Sequence, residues 1–259
     1  MLLAIDVGNT QTVIGLYGDG NASHELLDHW RIATVGDRTC DEHALLFQEF
    51  LAFAGHDWRT DIRGVAISSG VPMVTYELRR MCERYLKIDP VVLGTGVKTG
   101  MPVLYDNPKE VGADRIANAV GAFDLYGGPT IVVDFGTATT FDVISDSGEY
   151  LGGAIIPGIE ISLDALFGRA AALRRVELVE PRSVIGKTTV ESIQSGVIYG
   201  SSSMIDGMCD RIEDELGTAT VIATGGLADL IAPVAESIEH TEPWLTLHGL
   251  RLIWEKNVT

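Results

Sequence analysis

A glycine turn flanked by two β-prone runs occurs twice in this chain of 259 residues. It stands first as Asp6-Val7-Gly8-Asn9-Thr10-Gln11-Thr12 and again, half the chain later, as Asp134-Phe135-Gly136-Thr137-Ala138-Thr139-Thr140. Apolar runs precede the copies (Leu2-Leu3-Ala4-Ile5 and Ile131-Val132-Val133) and β-prone runs follow them (Val13-Ile14-Gly15-Leu16 and Phe141-Asp142-Val143-Ile144). The succession predicts strand, tight turn, strand in both places. Glycine lets a phosphate approach the backbone, Thr and Asn side chains add donors, and the leading Asp puts a carboxylate where a phosphate-bound cation would sit. One copy alone would pass for a hairpin with an Asp/Gly-rich turn. Two copies in matching contexts read as a duplicated phosphate clamp and divide the chain into two lobes.

A hydrophobic content of 46% is enough to bury a core in each lobe. The formal charge of −17, without any basic run, would repel a phosphodiester backbone, so nucleic acid is excluded as a partner. Cys40, Cys82 and Cys209 are few, odd in number and without C-x-x-C spacing, which points to a reducing cytosol and away from disulfides or a zinc knuckle. No stretch approaches the ~20 apolar residues of a membrane span, and the N-terminus enters a strand without a basic leader. A cytoplasmic protein that does not engage membranes is expected.

Along the first lobe the pattern predicts a strand at Trp30–Thr34, a helix over Asp41–Gly55, a buried strand at Gly64–Ser68, a helix over Val74–Leu86 and a strand at Val91–Leu93. Tyr105-Asp106-Asn107-Pro108 is a turn by composition, and Gly112–Tyr126 is an amphipathic helix. Gly127-Gly128-Pro129 breaks the chain there, giving an N-terminal lobe of 1–127 and a C-terminal lobe of 128–259. The second lobe should hold a helix over Gly158–Leu173 and a helix over Thr188–Leu216, either continuous or broken near Gly200, opened by the capping box Thr188-x-x-Glu191. Gly196, Gly200 and Gly207 each weaken that helix, which a close crossing with another helix, as between subunits, or a simple kink would explain. Val221–Thr224 reads as a strand, and the following Gly225-Gly226 turn, free of side chains, could lie against a nucleotide base or ribose.

Two other glycine segments are decoys. Gly186-Lys187-Thr188 imitates the end of a P-loop, but the loop's first glycine would fall at Pro181. Gly94-Thr95-Gly96 follows a strand as a dinucleotide fingerprint does, but the third glycine is misplaced and Pro102 interrupts the receiving helix.

With both clamps and the Gly225-Gly226 turn in place, the architecture resembles the superfamily of actin and the sugar kinases. More narrowly, the Asp6 clamp, Asp106-Asn107-Pro108-Lys109-Glu110-Val111-Gly112-Ala113-Asp114-Arg115, the Asp134 clamp, Gly152-Gly153-Ala154-Ile155-Ile156-Pro157-Gly158 and Gly186-Lys187-Thr188-Thr189 resemble the type III pantothenate kinases in order and spacing. The resemblance implies an α/β fold of two duplicated actin-like, ribonuclease H-like lobes, each a mixed sheet packed with helices, with the nucleotide in the cleft between them. It implies ATP-dependent phosphorylation of pantothenate, the first step of coenzyme A synthesis, by a homodimer that requires Mg2+ and a monovalent cation, potassium or ammonium. Carried over, Asp6, Val7, Gly8, Asn9, Thr10, Gln11, Thr12 and Val13 hold the ATP phosphates and Thr137 adds a contact. Asp134 ligates the monovalent cation, and Asp6 holds Mg2+ through water. Gly112, Ala113, Asp114 and Arg115 bind pantothenate with Asp114 as catalytic base. Tyr105 and Thr189 complete that site, Thr189 from the partner subunit.

The chemistry of that substrate suits these residues. Its primary hydroxyl needs a carboxylate nearby, and its own carboxylate needs a cation, so Asp114 and Arg115 form a fitting pair. Backbone N–H groups of Gly8 to Thr10 and the Thr10 hydroxyl are expected to meet the γ-phosphate. Asp142, beside the second clamp, is either a metal contact or a support for the hairpin. Two other functions remain open from the residues alone, a non-catalytic regulator of the same fold and a kinase of another small hydroxy acid or sugar.

Overall fold

The computed structural model describes residues 1–20, 24–170 and 173–258. In chain order the regular elements are β1 (Leu2–Val7), β2 (Gln11–Tyr17), β3 (Leu26–Ala33), α1 (Cys40–Phe53), β4 (Gly64–Ser69), α2 (Pro72–Met81), β5 (Val91–Val92) and α3 (Ala113–Tyr126). They continue as β6 (Thr130–Phe135), β7 (Ala138–Ile144), β8 (Tyr150–Pro157), α4 (Ile159–Arg169), α5 (Thr189–Leu216), β9 (Thr220–Gly225), α6 (Ala228–Ile231), β10 (His240–Thr241) and α7 (Leu245–Val258).

The strands form two sheets of five, ordered β3-β2-β1-β4-β5 and β8-β7-β6-β9-β10. In the first, β1 pairs antiparallel with β2 and parallel with β4; in the second, β6 pairs antiparallel with β7 and parallel with β9. The outer antiparallel strands and the short parallel edge strands also correspond. The duplication read from two short turns therefore extends to the whole strand order.

By internal contacts the chain forms two compact units, and the division is not a single cut at Gly128. The first comprises Met1–Met101, Asp106–Gly121 and Leu245–Thr259, and the second Pro102–Tyr105 and Ala122–Trp244. In the first unit Leu3, Ile5, Val7, Val65 and Ile67 point to one side of the sheet, where they join Phe47 and Leu51 of α1 and Leu78 and Met81 of α2 in a buried core. The opposite side carries small residues, Ala4, Gly15, Gly64 and Ala66, as strand alternation requires. Helix α7 packs on that side against β1, β2 and β4. Leu247 fills the space in front of Gly15 and Trp254 that in front of Gly64. In the second unit Ile131, Val133, Phe141, Val221 and Ala223 form the corresponding core with Ile198, Ile205 and Cys209 of α5.

Helix boundaries follow local chemistry. Thr39 caps α1 in a full capping box with Glu42, whose carboxylate accepts from the Thr39 N–H at 2.8 Å. At α5 the Thr188 hydroxyl accepts from the Glu191 N–H at 3.1 Å, but the Glu191 carboxylate accepts from the Lys187 N–H at 2.8 Å, one residue earlier than a capping box places it. Helix α5 runs unbroken through Gly196, Gly200 and Gly207. Helix α2 continues into one wide turn over Cys82–Leu86 that ends at Lys87 in the left-handed region. Helix α4 stops at Arg169, short of the expected Leu173, and residues 171–172 lie outside the described ones.

Candidate active site

The two clamps are hairpins with the same frame and different turn lengths. In the first, Asp6 pairs with Val13 and Val7 with Thr12; in the second, Asp134 pairs with Thr140 and Phe135 with Thr139. The second turn is one residue shorter, so the position equivalent to Thr12 is Thr139, and both are buried at 1% exposure. Asn9, Thr10 and Gln11 are exposed at the first turn, Gly136 and Thr137 at the second.

The Gly8 N–H is already committed inside the first turn, donating to the Gln11 carbonyl at 3.0 Å, and the Gly136 N–H likewise donates to the Ala138 carbonyl at 3.1 Å. This differs from the expectation that the Gly8 N–H is turned to a phosphate. A residue that the motif does not contain, Thr34 after β3, fastens the first turn from the side. Its hydroxyl donates to the Gly8 carbonyl at 2.8 Å, the Thr12 hydroxyl lies 2.9 Å from it, and its N–H donates to the Thr10 carbonyl at 2.9 Å. Since Thr34 gives its proton to Gly8, Thr12 donates to Thr34, and the three residues form one directed chain.

At the opening of α3, Asp114 is exposed and Arg115 is 8% exposed. The Arg115 N–H donates to Asp114 Oδ1 at 2.9 Å. That oxygen also occupies the space in front of Gly112, where any side chain would collide with it. The glycine of Gly112-Ala113-Asp114-Arg115 therefore makes room for the carboxylate two residues on. A carboxylate on the first turn of a helix is also favoured by the helix dipole.

In the second unit Asp134 is half-buried, and Gly225, at φ +92°, lies directly against its carboxylate. The bare Cα of Gly225 thus accommodates Asp134. Gly158, capping α4, packs so closely on the carbonyls of Gly136 and Thr137 that no side chain could stand there. Asp142 is fully buried and accepts from the Tyr150 hydroxyl at 2.8 Å and the Thr140 hydroxyl at 3.3 Å. It supports the hairpin. Tyr105, half-buried, leans on Tyr150 with ring centroids 6.5 Å apart. Thr189 is exposed at the start of α5, where it lines an apolar groove of about 700 Å³ with Ile156, Leu163, Val197, Gly200 and Met204.

Among the described residues no three His, Cys, Asp or Glu side chains cluster as a metal cage. A divalent ion here would be held by one or two carboxylates together with phosphate oxygens and water, the arrangement Mg2+ favours. Among the described residues no helix is long and apolar enough to cross a membrane.

A family model described as type III pantothenate kinase matches residues 2–211. A type III pantothenate kinase of Streptomyces griseus is 55% identical over 267 residues, covering 100% of this chain and 99% of the relative. One of Moorella thermoacetica is 53% identical over 258 residues, covering 99% and 100%. Among solved structures, a Baf-family transcriptional activator of Campylobacter jejuni aligns with a TM-score of 0.61 at 19% identity over 98% of both chains. An inorganic polyphosphate/ATP-glucomannokinase of Arthrobacter aligns at 0.52 and 14% over 99% of this chain and 98% of that one. At such identities the structural likeness establishes the fold, two duplicated lobes of the actin and sugar-kinase type.

Proposed function

The chain belongs to the type III pantothenate kinases, and from that premise we propose how its residues divide the work. The enzyme phosphorylates pantothenate with ATP, a step of coenzyme A synthesis. The observation that carries the residue-level reading is the pairing of Gly112 with Asp114, a backbone opened for one carboxylate that stands exposed at a helix start.

In this reading the pantothenate hydroxyl oxygen attacks the γ-phosphorus, the bond from that phosphorus to the β-γ bridging oxygen breaks, and ADP leaves. Asp114 orients the hydroxyl and takes its proton late. A carboxylate is far too weak a base to ionise an alcohol in the ground state, and a loose transition state does not require that it should. Oδ1 already accepts from the Arg115 N–H, so Oδ2 is the less engaged of the two oxygens and the one we assign to the proton. The Arg115 guanidinium grips the substrate carboxylate, with Gly112, Ala113, Tyr105 and Thr189 completing the site. Residues Asp6 to Val13 hold the ATP phosphates, Thr137 adds a contact, and Asp6 bears on Mg2+ through water. Mg2+, when bound, supplies positive charge to the phosphoryl oxygens. Asp134 holds a monovalent cation, whose tolerance of irregular oxygen geometry suits a single half-buried carboxylate.

The protein works as a homodimer in the cytoplasm. Gly196 and Gly200 support the dimer, since a Cβ at either would meet nothing within 4 Å in the described chain, and both line the apolar groove beside Thr189. A second copy covering that groove would explain the glycines and bring Thr189 of the partner subunit to the substrate.

The test is ADP release from ATP and Mg2+ with and without pantothenate, in potassium and in sodium buffer. Turnover that needs both pantothenate and potassium is expected. Pantothenate-dependent turnover equal in both buffers would remove the cation role of Asp134.

A further inference from the structure

Strand β4 ends beside the first clamp, and its Ser68 is in register with Asp6 on the neighbouring strand. Residues paired in register share a face, so Ser68 and Asp6 both point away from the core formed by Ile5, Val7 and Ile67. Ser68 is 1% exposed, and its hydroxyl has no hydrogen-bond partner.

Other hydroxyls at this end of the sheet, Ser69 and Thr12 on the opposite face with Val7 and Thr34 beside Thr12, are engaged. Ser69 accepts from the Val71 N–H at 3.0 Å, Thr12 lies 2.9 Å from the Thr34 hydroxyl, and Thr34 donates to the Gly8 carbonyl. Burying a hydroxyl without a partner weakens folding, so a chain selected for stability alone would carry an apolar residue there. This face accepts one. The preceding register pair on it is Ala4 with Ala66, so alanine satisfies the packing demand one step away.

We propose that Ser68 is a nucleotide-binding residue. Its hydroxyl donates to an oxygen of the terminal phosphates of ATP, or of water on the bound divalent ion, at the place that Asp6 addresses from the adjacent strand. The inference rests on the reading of the first clamp as the phosphate holder. It assigns to that site a donor from a third strand segment, outside the Asp6–Val13 motif. It also explains why the last residue of β4 on the Asp6 face carries a hydroxyl.

Calorimetric titration of the full-length protein with ATP, with and without Mg2+ and without pantothenate, tests this independently of turnover. Ser68→Ala should bind MgATP about tenfold more weakly, the scale of one hydrogen bond to a charged acceptor. Its unliganded melting temperature should be unchanged or higher, because no partner is lost. Ser68→Cys, with its weak donor, should fall between the two. Equal MgATP affinity in wild type and Ser68→Ala would overturn the proposal, as would a lower unliganded melting temperature with unchanged affinity, the mark of a structural role. Failure of the wild type itself to bind MgATP would instead overturn the phosphate-clamp reading on which it rests.

Discussion

A Cβ placed on Gly225 would lie 2.5 Å from Oδ1 of Asp134 and 2.7 Å from the backbone of Phe135, in a residue whose φ of +92° already disfavours any side chain. The last residue of β9 is therefore shaped by a carboxylate on the adjacent strand β6. Gly225→Ala should strain the backbone by about 2 kcal/mol and displace Asp134. We expect a melting temperature several degrees lower and a potassium concentration for half-activation raised about tenfold or more. Asp134→Asn, which keeps the shape and removes the charge, should lose potassium activation with little loss of stability. A potassium midpoint unchanged in both variants would separate Asp134 from the cation.

The relation of Gly112 to Asp114 gives a second test. Asp114→Asn should lower kcat by about 10² to 10⁴, the usual contribution of a positioned general base, while MgATP and pantothenate still bind. Gly112→Ala leaves the carboxylate in place chemically but pushes it from its position. It should therefore also reduce kcat, with ATP affinity retained. Single-turnover kinetics and equilibrium binding would distinguish these outcomes, and full turnover in Asp114→Asn would remove its role as base.

The apolar groove beside Thr189 makes the oligomeric state testable with one charge. Met204 is 38% exposed and lines the groove, so Met204→Glu would place a carboxylate in the proposed interface. Light scattering should show a dimeric wild type and a monomeric variant. The monomer should have a raised KM for pantothenate because Thr189 of the partner subunit is absent. An unchanged mass for the variant would mean that another surface joins the copies.

What could be read from the sequence was local. The clamps were legible because a glycine turn between apolar runs has few structural solutions, and α1, α3 and α5 because apolar spacing, and for α5 a cap, lie within a few residues. Strand β8 escaped notice because Gly152 and Gly153, at φ +130° and +157°, interrupt its side-chain alternation. Its pairing with β7 holds it as a strand. The contacts of Thr34 and Gly225 with the clamps were not legible for another reason. Each acts on a clamp residue across a strand register, and no spacing along the chain records which strands become neighbours. Helix α7 likewise belongs to the first unit although its residues end the chain, because the face it covers was made of small residues in β1, β2 and β4.

His43 carries the clearest pH dependence. It lies on the buried face of α1 at 1% exposure, edge-on to Phe47 with centroids 6.1 Å apart, and neither ring nitrogen has a hydrogen-bond partner. Burial, helped by the nearby Arg38 charge and opposed by Glu42 and Glu77, pushes its pKa down to about 4. The unfolded chain takes up this proton near pH 6.5, whereas the folded chain resists it until about pH 4. Stability from the neutral ring is therefore complete above the unfolded value, declines as pH falls from 6.5, and is lost by about pH 4. The total is about 3 kcal/mol. His43→Leu removes the titrating group and two unpartnered nitrogens while filling a similar volume. It should be as stable as the wild type or more so at pH 7.5, and its advantage should grow steadily as pH falls. Urea unfolding of both proteins at several pH values measures that difference directly, with the carboxylates common to both cancelling. A difference that stays flat from pH 7.5 to 4.5 would mean that the folded protein protonates His43 as readily as the unfolded chain does.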